Sequence, residues 1–182
     1  MSRMIVELGK QWGQPLPDLA WIIEIDALPG GGQGIGFAAK AGRAVNGPNI
    51  NMINELQKGA GNKKLKQYKG NNKDKPSALS LCPTGDFVLG VILGKDLGAT
   101  FDNKPFSGGY TGADSDYLGM TLVSPTTAYV VVPASTFGPS YVKPFNIHIS
   151  VAGQYADGQA TVTRIILDPD TRLPPPGEGP GD

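Results

Sequence analysis

The chain is poor in the residues from which most catalytic and metal sites are built. It holds one cysteine, Cys82, and one histidine, His148, in 182 residues. A single cysteine forms no disulfide within the chain, and neither residue has a partner of its own kind for a zinc site or a histidine relay. No run approaches the ~18 apolar residues that a membrane-spanning helix needs. The stretch "MSRMIVELGKQWGQ" lacks an apolar core of signal-peptide length, so the expectation is a cytoplasmic protein, or a virion component if phage-encoded. Net charge is missing as well. Sixteen basic residues meet sixteen acidic ones, which leaves no global field to draw the protein to nucleic acid.

What is there in quantity is glycine and proline, 26 and 16 residues, beside a 40% hydrophobic content that argues against disorder. The apolar residues fall in short runs separated by turn signals. "AWIIEIDA" (Ala20–Ala27), "SALSLCP" (Ser77–Pro83), "DFVLGVILG" (Asp86–Gly94), "YLGMTLV" (Tyr117–Val123), "TAYVVV" (Thr127–Val132), "FNIHISV" (Phe145–Val151) and "ATVTRIIL" (Ala160–Leu167) all read as strands. Pro83-Thr84-Gly85, Ser124-Pro125-Thr126 and Ala156-Asp157-Gly158 supply reversals between them. In Phe145–Val151 the alternation places Asn146, His148 and Ser150 on a wet face. Only one helix is expected. Asn49 can cap it, Ile50, Ile53 and Leu56 share a face, and Gly59 can end it. The fold class that follows is all-β, an antiparallel sandwich or barrel with Greek-key-like connections and one short helix. Residues 1–172 are expected to form one domain with an N-terminal arm, and "LPPPGEGPGD" (173–182) an extended tail.

One motif suggests a cofactor. In "IEIDALPGGGQGIGFAAKAGRAV" (Ile23–Val45), Gly30, Gly34 and Gly36 have the spacing of a dinucleotide-binding turn, with Phe37–Ala44 as the helix that would receive the pyrophosphate. Gly42 weakens that helix, the βαβ repeats of a doubly wound sheet are missing, and no tyrosine has a lysine four residues on. A flexible loop on an all-β domain is the better reading, and no cofactor is expected.

The other candidates are weaker. Residues 1–75 carry eleven basic and six acidic side chains, residues 76–182 five and ten, a split that follows from one lysine-rich segment. There Lys63, Lys64, Lys66 and Lys69 form a candidate anion site, without the arginines or aromatics needed to read bases. The plainer reading is a solvated loop that discourages edge pairing. Asp114/Asp116 and Asp168/Asp170 have a spacing that suits calcium, but lack an EF-hand's central glycine and distal glutamate. Trp12, Trp21, Tyr110 and Tyr117 could stack on a sugar, which makes a carbohydrate-binding module one reading and a glycan one partner. His148 and Cys82 show no nucleophilic constellation.

"FNIHISVAGQYADGQATVTRIILDPDTRL", "PTGDFVLGVIL" and "WIIEID" together resemble the bacterial inclusion-body protein family, small all-β proteins that close with a strand, an Asp-Gly turn, a second strand and Asp-Pro. Leu167 stands where that family usually places an aromatic. The resemblance implies a non-enzymatic protein that accumulates or assembles in the cell, and it transfers no site residues. The expectation is therefore an assembly or binding protein, partnered by copies of itself or by other structural subunits. A viral capsid or tail subunit is an alternative with the same sequence features.

Overall fold

The computed structural model describes residues 3–29, 34–44, 47–67, 80–81, 85–108, 118–132, 142–167 and 170–172. Its strands, in chain order, begin with β1 (Leu19–Ala27), β2 (Ile35–Arg43), β3 (Lys66–Gln67), β4 (Ser80–Leu81) and β5 (Phe87–Leu93). They continue with β6 (Ala99–Gly108), β7 (Leu118–Ser124), β8 (Thr127–Val132), β9 (Val142–Gln154), β10 (Ala160–Leu167) and β11 (Asp170–Arg172). The first sheet has six strands in the order β3-β2-β1-β5-β8-β7. In the second, β9 is central, with β6 on one side and β10 followed by β11 pairing its other positions; β4 joins β11. The fold is an all-β sandwich-like one, as the strand pattern leads one to expect.

Side-chain parity explains why the first sheet is the middle layer. Odd positions of β1 (Leu19, Trp21, Ile23, Ile25) and of β5 (Phe87, Leu89, Val91, Leu93) meet Phe101, Phe106, Ile147 and Ile149 of the second sheet in one buried core. The alternate positions, Ala20 and Ile22 of β1 and Val88 of β5, form with Tyr129 and Val131 of β8 a second core under two helices. A strand covered on both faces has no polar side, which is why "WIIEID" and "FVLGVIL" read as nearly continuous apolar runs.

Two helices are present. α2 (Ile50–Gly61) starts where Asn49 predicts, its side-chain oxygen accepting the Met52 N–H at 3.0 Å, and it buries Ile53, Leu56 and Ala60. α1 (Arg3–Trp12) corrects the expectation of an arm: Met4, Ile5 and Leu8 sit buried against the first sheet. Their helical spacing is visible in the sequence, but Gly9 within it and Pro15 and Pro17 after it obscure the period. A second correction concerns direction. β1 and β5 are parallel, with α2 in the long connection between them, inside an otherwise antiparallel sheet. β6 escaped notice because Pro105 lies within it, at the break in register between Phe101 and Phe106 where a missing N–H costs no ladder bond.

Candidate functional site

The glycine motif resolves into packing. Phe37–Arg43 belongs to β2, antiparallel to β1 with Ala27 opposite Ile35, so the helix a pyrophosphate would need does not follow the glycines. Gly36 has no room for a side chain: a Cβ there would lie 2.7 Å from Leu28 and 2.8 Å from Leu65. At Gly42 it would meet Leu56 of α2 at 3.0 Å. The small residues of "GIGFAAKAGR" thus let α2 and the neighbouring loops lie close on the strand. Gly30 lies outside the described residues.

Other sequence candidates scatter. Lys63, Lys64 and Lys66 are exposed after α2, and Lys69 lies outside the described residues, as do Cys82, Asp114, Asp116, Asp168, Tyr110 and Tyr117. Lys66 sits opposite Phe37, on the side of the sheet that faces the core, at the end of the first sheet. A lysine so placed keeps another strand from adding there. Trp21 is buried between the sheets and presents no face to a sugar; Trp12 packs on the helix side of the first sheet. Asp170 falls in β11. Among the described residues no three His, Cys, Asp or Glu side chains gather as metal ligands. No described helix is long and apolar enough to cross a membrane.

What the structure does bring together is the outer face of the second sheet. The bend in β6 and the regular rungs of β9 align polar side chains from positions about forty residues apart. Ser107 Oγ lies 2.6 Å from His148 Nε2, and Asn146 Nδ2 donates to the same oxygen at 3.4 Å. Ser107 is only 4% exposed, so these bonds satisfy an otherwise buried hydroxyl. Ser150 Oγ donates to Asp102. A serine within reach of a histidine is the first half of a nucleophile-and-base pair. Among the described residues the acid on that face, Asp102, accepts from Ser150 rather than meeting His148, and Ser107 is buried, so the polar side chains form a ladder across the two strands. Sequence reasoning found Asn146, His148 and Ser150 on one face, but not Ser107 or Asp102, whose strand was hidden by Pro105.

Beside this ladder stands β10. Its residues Val162, Arg164 and Ile166 pair with Ala152, Ser150 and His148 and extend the same face. Val162 is 65% exposed and Ile166 60%. Towards the turn the β9–β10 ribbon leaves the sandwich: Ala152 to Ala160 are exposed on both sides, with Tyr155 62% exposed. The turn itself is well made. Gly158 N–H donates to the Tyr155 carbonyl at 2.9 Å, Tyr155 N–H to the Gln159 carbonyl at 2.8 Å, and Asp157 accepts from Gln159 N–H. Gly158 has φ +84°, a conformation only glycine takes at little cost. The Asp-Gly turn read from the sequence is thus the tip of this ribbon.

Comparison with known proteins finds no family model and no curated protein that matches the chain.

Proposed function

We propose that this chain is a non-enzymatic structural protein that works by binding other protein subunits through the outer face and ribbon of its second sheet. The observation that carries the reading is the β9–β10 ribbon, which presents Tyr155, Val162 and Ile166 to solvent while Ile147, Ile149 and Leu167 of the same two strands are buried. A two-stranded ribbon standing away from its core has little to hold it in water, and a partner surface supplies the missing cover. The polar groups of the face beside it are paired with each other, so covering it strands few unsatisfied groups. The resemblance of "WIIEID", "PTGDFVLGVIL" and the C-terminal third to inclusion-body proteins supports accumulation as the outcome of this binding.

Size-exclusion chromatography with light scattering over a wide concentration range tests the reading. The expected result is a species larger than one chain that grows with concentration and shrinks when Val162 and Ile166 are both replaced by lysine. A strict monomer at the highest concentration would count against it. Electron microscopy of the assembled material separates compact inclusions from the tubes or shells of a viral subunit.

A further inference from the structure

We infer that the partner of the β10 edge is a second copy of this chain, joined by antiparallel pairing of the two β10 strands about a two-fold axis at Thr163. This rests on the subunit-binding reading above and names its interface.

The ends of the sheets are not alike. In the first sheet, β3 has two residues and carries the core-side lysine Lys66, while β7 shifts register twice against β8 and lies against α1. In the second, β4 has two residues, and β6, which among the described strands pairs with β9 alone, carries Pro105 and a break in register. These are features that blunt an edge. β10 has none of them. It runs eight residues in unbroken register with β9, contains no proline, has Arg164 as its single charge, and is rich in β-branched residues. Among the described strands it pairs on one side only. A long, regular, unpaired row of N–H and C=O groups is the template onto which another strand adds.

The sequence of β10 selects both the partner and the register. In an antiparallel pair, residues directly opposite share a face, so a two-fold axis normal to the sheet must pass at a residue that faces its own copy. Centring on Arg164 sets two like charges opposite each other, which is destabilising. Centring on Val162 or Ile165 pairs only five residues of each strand. Centring on Thr163 pairs seven, from Ala160 opposite Ile166 to its symmetry mate. There Thr163 meets Thr163 of the second copy, and the aliphatic stem of Arg164 lies over Val162, one of the two large exposed apolar side chains of the strand. Thr163 and Arg164 are both exposed in the single chain, so neither must leave a packed position to make these contacts.

Cysteine placement and charge exchange test this. Opposite residues of an antiparallel pair have Cα atoms roughly 4.5–5.5 Å apart, within disulfide reach. Thr163→Cys should therefore give a disulfide-linked dimer on mild oxidation, whereas Ile166→Cys and the wild-type chain with its Cys82 should not. Thr163→Lys and Thr163→Glu, each alone, should weaken association roughly fivefold or more, and an equal mixture of the two should restore it. Unchanged circular dichroism confirms that each variant is folded. If the wild-type chain associates but Thr163→Cys does not crosslink, the interface is wrong while the subunit-binding reading stands. If mixing the charged variants restores nothing, the symmetric register is likewise overturned. A strictly monomeric wild-type chain overturns both.

Discussion

Gly90 offers the sharpest test of how the first sheet meets its helices. It sits in β5, facing the helix layer, and a Cβ built there would lie 2.5 Å from a Tyr129 ring carbon and 2.6 Å from Ile22 Cδ1. Ordinary contact begins near 3.5 Å, so Gly90→Ala requires a displacement of about 1 Å in one of two crowded neighbours. Neither has space to give. Ile22 is fully buried, and Tyr129 is 2% exposed with its hydroxyl accepting from Gln57 Nε2 at 2.5 Å. Overpacking of this kind costs about 1–3 kcal/mol, and loss of the Gln57–Tyr129 bond adds about 1 kcal/mol. The reduced freedom of alanine in the unfolded chain offsets about 0.5 kcal/mol. The expected net destabilisation is about 2–3 kcal/mol, read in urea as a midpoint lowered by about 1–2 M at unchanged slope. Gly9→Ala is the opposing control. It lies in α1 with nothing within 4 Å of a new Cβ, and should raise stability by about 0.5–1 kcal/mol. Tyr129→Leu should shrink the Gly90→Ala penalty, because the ring edge that meets the new methyl is gone. A Gly90→Ala midpoint equal to wild type would refute the close approach of β5 to Tyr129.

Three further outcomes follow from individual groups. Asn49→Ala removes the α2 cap and should cost about 1 kcal/mol in the same urea assay. Burial, and secondarily the Asp26 charge, raises the Glu24 carboxyl above its ordinary value of 4.5. The folded state therefore binds that proton more tightly than the unfolded chain, and stability falls as pH rises from 4.5 through the raised value. Glu24→Gln should match wild type below that window and exceed it above, measured as the difference between urea midpoints at acid and neutral pH. Ser107→Ala deletes the hydroxyl shared by His148 and Asn146 and should cost about 1 kcal/mol, seen as a lowered thermal midpoint.

How much of this could be read in advance depended on the distance over which each signal acts. Thr127–Val132 and Ala160–Leu167 are strands in the structure with the bounds their composition indicates, and Asn49 caps the helix it should. Each of these signals lies within a few residues of what it specifies. β2 was obscured because Gly36 and Gly42 suit a close-packed strand and a phosphate-binding turn equally well. The neighbours that distinguish the two, Leu28, Leu65 and Leu56, lie up to 29 positions away. α1 was obscured by Gly9, whose cost in a helix is met by the docking of Met4, Ile5 and Leu8 on the sheet.

The strand-rich class, the capped helix and the Asp157-Gly158 turn are legible in the residues alone, because period, capping and turn chemistry are local properties of the backbone. The tertiary structure decided the rest. It set β1 parallel to β5, buried Trp21, and brought Ser107 within reach of His148 across 41 positions. Among the described strands it also left β10 paired on one side only, in unbroken register with β9. Which faces are covered and which strands lie side by side are settled by contacts between distant segments, and those contacts have no signature in any short stretch of the chain.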